Sequence, residues 1–524
     1  MPHRLALIVL LAAVGGCAVH PITLEDVPRT PSYATIEAGS SSLGRDIARI
    51  AVPNEPRSGF YVLDRGEEAL LWRGALTDRA ERAIDAQYYI WSEDNVGTIA
   101  AERLLRAADR GVRIRVLVDD LSISTDPRFL AMLNAHPQIE IRIYNPTGGV
   151  GRNYLSKVFA FAADFKRMNR RMHNKALVVD GAVAVIGGRN IADEYYDMNR
   201  EYNFRDRDVV AVGPVVGQIE RGFGRYWNSI WAVPVEAYVR VDFSEAERTA
   251  YYARLHAYAD DRKNFPDRFN DALDCTHARL RELQNMLVWG EARVIYDVPG
   301  KNEDAGRMDA FGEMGRELTA AVADARQEVL AETPYLAMMP GTLAVVRRLH
   351  ERGVRVRILT NSLASTDEPF AFSRYAMHRN ELLDLGVELH ELMPRPLYHE
   401  EVVTRLPGMR QPTRLALHAK TMVIDRRIVF IGSFNMDPRS THLNTEMGVL
   451  VDSRELADGI AKVIERDMDP RNSWSVTRAR DSGRIVWTSV SDGQLRATSQ
   501  EPEASAAALL EVFLFTLLPI DSLI

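Results

Sequence analysis

Across 524 residues there are two cysteines, Cys17 and Cys275. Two thiols build no disulfide framework and offer no metal-ligand spacing. Cys275 sits in a helical-looking segment and is expected to be an inert buried thiol. Positive charge is also in short supply. Against 72 Asp and Glu stand 65 Lys and Arg, for a formal net charge of −7. That balance argues against a protein that grips nucleic acid by bulk charge. Long hydrophobic runs are missing too. The apolar stretches at residues 5–14 and 506–520 fall short of the ~20 residues that cross a bilayer as a helix. The rest of the composition, 46% apolar and 26% charged, is ordinary for globular proteins. The length suffices for two domains with large cores.

What the chain does have is one short pattern, twice. His173-Asn174-Lys175 is followed, after four intervening residues, by Asp180, and His418-Ala419-Lys420 by Asp425. Gly187-Gly188-Arg189-Asn190 trails the first copy and Gly432-Ser433-Phe434-Asn435 the second. In both, the Asn lies 17 positions after the His (190 − 173 and 435 − 418). A second repeat supports the first. Residues 110–121 (RGVRIRVLVDDL) align with 352–363 (RGVRVRILTNSL), identical at seven of twelve positions. Repeats at this distance indicate a duplicated domain rather than a solenoid.

The local pattern is that of a β-hairpin. Apolar runs at 176–179 and 182–186 flank Asp180-Gly181, a tight turn signal. Alternation along a strand puts His173 and Lys175 on one face and sends Asp180 to the other. Asp180 and Asp425 are therefore expected to hold the turn or a neighbouring element. The small residues of 187–190 would let backbone N–H groups approach an anion. A His, a Lys and an Asn amide converging there suit a phosphate: imidazole attacks or shuttles protons near neutral pH, and ammonium and amide neutralise the phosphoryl oxygens.

The paired His-x-Lys-x4-Asp stretches with their trailing Gly-x-x-Asn resemble the phospholipase D superfamily. RRMHNK (170–175), GGRNIADEYY (187–196) and FIGSFNMDPRS (430–440) resemble its bacterial cardiolipin synthase branch. The resemblance implies an α/β fold of two similar sandwich halves with pseudo-twofold symmetry and one shared active site. It implies a catalytic set of His173, Lys175, His418 and Lys420, with Asp180 and Asp425 completing the motif. Asn190 and Asn435 would bind the substrate phosphate. Asp206 and Glu446 stand where the family places the acid that orients the catalytic His. No metal and no cofactor are expected. The implied reaction is phosphatidyl transfer through a phosphatidyl-histidine, with phosphatidylglycerol or phosphatidylethanolamine as substrate, at a membrane surface and without nucleic acid. A hydrolase using water as acceptor, a phosphodiesterase or nuclease, and an idle lipid-binding protein remain open alternatives. Some cardiolipin synthases begin with two transmembrane helices; the chain resembles the branch lacking them.

In chain order, residues 1–17 have the shape of a lipoprotein signal. Arg4 precedes the apolar run, and Val14-Gly15-Gly16-Cys17 resembles a lipobox. Diacylglycerol on Cys17 would anchor the protein in a bacterial envelope facing the periplasm, and Ala18 favours the outer membrane. Residues 18–57, rich in Pro, Ser, Thr and Gly, look like a tether. The first half is expected over 58–240, with a helix at 77–86 leading into a strand at 87–91. A helical linker follows over 241–300, the second half over 301–470 and a tail over 471–524 that docks on the body. Basic residues interleave with aromatics between 145 and 173, suited to an anionic lipid surface or to ordinary packing.

Overall fold

A computed structural model describes residues 24–33, 38–120, 127–146, 167, 169–239, 241–264, 269–301, 311–399 and 414–517. Cys17 and most of the basic-aromatic stretch before His173 lie outside them.

The first half contains strands β1 (Ser58–Leu63), β2 (Ala83–Tyr88), β3 (Arg113–Asp119), β4 (Ile139–Tyr144), β5 (Ala176–Val179), β6 (Val183–Gly187), β7 (Tyr202–Arg205), β8 (Asp208–Val212) and β9 (Ala232–Pro234). The second contains β10 (Val288–Tyr296), β11 (Glu328–Glu332), β12 (Arg355–Asn361), β13 (Glu388–Leu392), β14 (Arg414–Leu417), β15 (Thr421–Ile424), β16 (Ile428–Gly432), β17 (Met447–Asp452), β18 (Ser473–Arg478), β19 (Ile485–Ser491) and β20 (Gln494–Thr498). Pairing runs β9-β4-β3-β2-β5-β6-β8-β1 in the first half. It repeats as β18-β13-β12-β11-β15-β16-β17-β10 in the second. The two series meet where β1 pairs antiparallel with β10, Gly59 opposite Trp289. This is the two-half α/β architecture expected from the repeated motif.

Alternation explains why the motif strands are apolar throughout. Leu177 and Val179 face the first half's helices, whereas Ala176 and Val178 join Val423, Val429 and Ile431 in a cluster shared by both halves. A strand buried on both faces reads as a continuous apolar run. The helices Pro214–Trp227 and Arg454–Asp467 seal this shared core with Val215, Ile219, Leu456 and Ile460.

Several expectations need correction. The helix and strand expected at 77–86 and 87–91 lie at Gly66–Arg79 and Ala83–Tyr88. The stretch expected as a tether is largely folded onto the first half. Leu24 is buried there, and the Arg29 guanidinium donates to the carbonyls of Leu24, Val27 and Ala232. Ser42–Ala51 is a helix capped by Ser41, with Leu43, Ile47 and Ala51 buried. That i, i+4, i+8 stripe outweighs the loop-like composition around it. In the linker region, Glu245–Asp260 packs on Asn95–Asp109 and Phe269–Arg281 on Gly66–Arg79. Cys275 is exposed, not buried; Leu273, Thr276 and Leu280 form the inward face of its helix. The tail from 471 is an integral part of the second sheet, because β18 pairs with β13 as β9 does with β4.

Candidate active site

Each motif His sits three residues ahead of the first strand of its hairpin, and each is pinned to the opposite half. The N–H of His173 donates to the Thr445 carbonyl (2.9 Å), and the Thr445 N–H to the Arg171 carbonyl (2.8 Å). On the other side β14 pairs parallel with β7, and the His418 N–H donates to the Arg205 carbonyl (2.8 Å). Thr445 and Arg205 each precede an acid. Each imidazole is therefore held by the other half's carboxylate. His173 Nδ1 lies 2.9 Å from Glu446 Oε2, and His418 Nδ1 lies 2.6 Å from Asp206 Oδ2. His173 Nδ1 also faces the Ser433 carbonyl at 3.1 Å. With two acceptors before it, that nitrogen carries the proton, which leaves Nε2 with its lone pair.

Burial shapes the electrostatics. It pushes His173 down to about 4, against the pull of Glu446, and His418 down to about 3, with Lys420 adding to the fall. Burial also depresses both lysines, Lys175 well below its usual range and Lys420 to about 8. Burial alone would raise Asp206 and Glu446, yet the paired imidazoles and nearby lysines hold both carboxylates low. The resting site thus contains neutral imidazoles on ionised carboxylates.

Both His rings line one cleft of about 440 Å³, together with Asn190, Asn435, Tyr89, Tyr195 and Tyr335. Lys175 and Lys420 are almost fully buried and absent from its lining. Each ammonium donates to the carbonyl of its own motif His, and Lys420 Nζ lies 2.9 Å from His418 Nδ1. They charge the floor from beneath. The Asn190 amide is fixed, accepting from the Ile90 N–H (3.1 Å) and donating to the Tyr195 hydroxyl (2.8 Å). Its remaining N–H is the group available to a ligand.

The motif aspartates lie away from this cleft, as strand alternation requires. Asp180 and Asp425 occupy left-handed turn positions, φ 51° in each. Asp180 accepts from the N–H groups of Glu81, Arg82 and Ala83 (2.8–3.0 Å). Asp425 accepts from those of Arg326, Gln327 and Glu328 (2.7–3.1 Å). They tie each hairpin to the start of β2 or β11.

The glycines at 187–188 serve a different end from the one expected. The Gly188 N–H donates to the Arg207 carbonyl and the Arg189 N–H to Asp208, so neither is free for an anion. A Cβ on Gly188 would lie 2.1 Å from Asp206 Oδ1. The glycine makes room for the carboxylate that holds His418.

Sequence reading missed the cleft's far wall. Asp367, Glu368 and Asp437 line it, and burial raises all three, Asp437 to about 6. Tyr335 donates to Asp367 Oδ2 at 2.9 Å. Only Asp437 fell inside a quoted motif; nothing in the local pattern around 367 marks it. The aromatic packing was also missed. Tyr89 meets His173 edge-on, and Tyr195 and Phe204 enclose His418, with ring centroids 4.7–5.1 Å away.

A family profile described as "Cardiolipin synthase, PLD-like domain" matches residues 75–227 and 318–468, one match in each half. The chain is 35% identical over 480 residues to Cardiolipin synthase C of Escherichia coli (strain K12), covering 89% of this chain and 96% of that protein. It is 25% identical over 411 residues to a cardiolipin synthase of Staphylococcus aureus (strain Mu50 / ATCC 700699), covering 78% and 67%. Among solved structures it is similar to a phosphatidylserine synthase of Haemophilus influenzae Rd KW20. That likeness has a TM-score of 0.55 at 12% identity, covers 91% of this chain and all of that one, and concerns the fold.

Proposed function

We propose that this chain, which belongs to the cardiolipin synthase-like branch of the phospholipase D superfamily, transfers phosphatidyl groups between phospholipids by two displacements at phosphorus. His173 Nε2 attacks the phosphodiester of a donor such as phosphatidylglycerol or phosphatidylethanolamine. The bond to the leaving alcohol breaks as His418 gives that oxygen a proton. An incoming alcohol then loses its proton to His418, attacks the phosphatidyl-histidine and frees His173. Splitting one difficult step into two easier ones is the gain of covalent catalysis.

The observation that carries this reading is the crossed pairing of each His with the other half's acid, which aims both rings into one cleft. The proton fixed on Nδ1 of His173 supports it as nucleophile. His418, 2.6 Å from Asp206, is suited to carry a proton, since an adjacent carboxylate stabilises imidazolium. The anionic phosphodiester adds a second negative charge that raises the imidazole's pKa on binding. Asn190 and Asn435 hold the phosphoryl oxygens, and Lys175 and Lys420 draw the anion from beneath the floor of the cleft. Asp180 and Asp425 complete the motif by bracing the hairpins.

The test is to incubate the purified protein with phosphatidylglycerol and phosphatidylethanolamine and identify the products. Cardiolipin with a released alcohol is expected. Phosphatidic acid alone would favour the hydrolase, in which water takes the acceptor's place. In His418→Ala, given a donor whose leaving group needs no proton, such as a nitrophenyl phosphodiester, the intermediate should accumulate, and peptide mass spectrometry should find the phosphatidyl group on His173. Its appearance on His418 in the reciprocal variant would reverse the roles.

We further propose that Cys17 carries diacylglycerol and holds the protein at the envelope membrane, facing the periplasm and on the outer membrane. Cys17 precedes the docked Leu24 by seven positions (24 − 17). Seven residues span at most about 25 Å, so the anchor would keep the body against the bilayer. Intact mass decides: a mature N-terminus at an unmodified Cys17, or a chain retaining residues 1–16, overturns the anchor.

A further inference from the structure

The helix Ala506–Thr516 carries one charge, Glu511, and otherwise apolar or small side chains on every face. A helix that is apolar all round is normally buried. This one is half in water. Ala508 and Val512 pack on the second half's core, and Phe515 meets Phe370 edge-on at 5.1 Å. On the opposite arc Leu509, Leu510, Phe513, Leu514 and Leu517 are 45–64% exposed. At 100° per residue these five span about 140° of the helix surface, and Glu511 lies about 60° beyond its edge. They account for five of the twelve large hydrophobics exposed among the described residues. The position matters as much as the chemistry. Phe370 and Ala371 line the catalytic cleft, and Phe370 is the ring that Phe515 packs against, so the helix that carries the arc lies beside the cleft. The chain then continues with Leu518, Pro519 and Ile520.

We infer that this arc inserts into the interfacial layer of a phospholipid bilayer and seats the cleft mouth against the membrane that holds its substrates. The inference rests on the proposed phosphatidyl transfer and adds the surface by which lipid is delivered. A bilayer fits better than a protein or nucleic acid partner, because the arc offers hydrocarbon and no charged pair. Among the described residues no helix is long and apolar enough to cross a membrane; this one would lie in the plane. Interfacial helices commonly add a Lys- and Arg-rich face that draws anionic lipid. This helix has no basic residue, so its attachment should depend little on salt or on anionic headgroups.

Two measurements on the full-length protein test this. In a Cys275→Ser background, Phe513→Cys is labelled with a polarity-sensitive fluorophore. Phosphatidylcholine vesicles, with or without phosphatidylglycerol, should shift its emission to the blue, equally at low and high salt. No shift overturns the inference. A shift that follows protein concentration and needs no vesicles also overturns it, because the arc then joins copies of the chain. Second, Leu510→Glu/Leu514→Glu should raise the KM for vesicle substrate about tenfold or more. Its kcat/KM for a soluble short-chain phospholipid should stay unchanged, as should its melting temperature. Equal turnover of vesicles by variant and wild type overturns the docking role. A wild type inactive on both substrates would instead refute the transfer reaction.

Discussion

The two halves present the same motif to one cleft but brace their acids by different physics. Asp206, which holds His418, sits between two buried arginines. Arg205 pairs with Asp467 at 3.1 Å and Arg207 with Glu332, both across the interface between halves. Arg189 and Arg73 close the lattice on Asp208. Glu446, which holds His173, is instead surrounded by hydroxyls. Ser433 Oγ and Ser440 Oγ donate to it, the latter at 2.7 Å, and its N–H donates to Asp297. The substitutions between halves fit together. Gly188 stands opposite the shorter acid where Ser433 reaches the longer one, and Arg189 and Asp208 are replaced by Phe434 and Gly448. Duplication thus preserved the imidazole–carboxylate pair while the support around each pair diverged. One support is ionic and spans the interface; the other is a local hydroxyl network.

If the halves divide the work, removing either imidazole should be equivalent in outcome. His173→Ala and His418→Ala should each lower turnover by about 1,000-fold or more, with unchanged circular dichroism. Substantial residual activity in one variant alone would break the shared site into two. The acids should then separate the halves. Asp206→Asn replaces the charged partner of His418 with a neutral amide while Lys420 stays beside Nδ1, and should cost about 1,000-fold in kcat/KM. Glu446→Gln should cost nearer tenfold, since the Ser433 carbonyl still accepts the Nδ1 proton of His173. Equal losses would mean that the second acceptor does nothing.

Lys420 offers a smaller effect. Burial holds its ammonium down to about 8, so the charge is present below that pH and lost above it. Activity should fall as pH rises through about 8. Lys420→Arg keeps its charge at any such pH, so whatever activity it retains should be flat from about pH 7 to 9. A wild-type profile without that alkaline fall would exclude the lysine's charge from the rate. The least effect on chemistry is expected from the braces. Asp180→Asn and Asp425→Asn each weaken three charge-assisted bonds to backbone N–H groups. Each should lower stability by about 2–4 kcal/mol, read as an earlier melt, with near-normal turnover per folded molecule. A variant that melts like the parent but is inactive would place the aspartate in the chemistry after all.

These expectations draw on sequence and structure in different proportions. The first hairpin, its tight turn at Asp180-Gly181 and the outward face of both aspartates were legible in the sequence, because turn chemistry and period-two alternation are local. So was the duplication, because the same residues recur at the same spacing. Composition misled where it competed with periodicity. The Pro- and Ser-rich stretch after Cys17 hides the stripe Leu43, Ile47 and Ala51 that docks a helix. The helical segment around Cys275 gave no sign of which face turned inward.

Sequence alone determined that each half carries the same His, Lys and Asn at the same spacing around a hairpin, since that pattern is local. Only the tertiary structure decided that each imidazole answers to the other half's acid. His418 and Asp206 lie 212 positions apart and His173 and Glu446 273 apart. They are joined by the pairing of β7 with β14 and of Met172 with Thr445. No local period encodes a contact of that range. It exists because two twisted sheets share one apolar core, and burying that core brings the paired strand ends together.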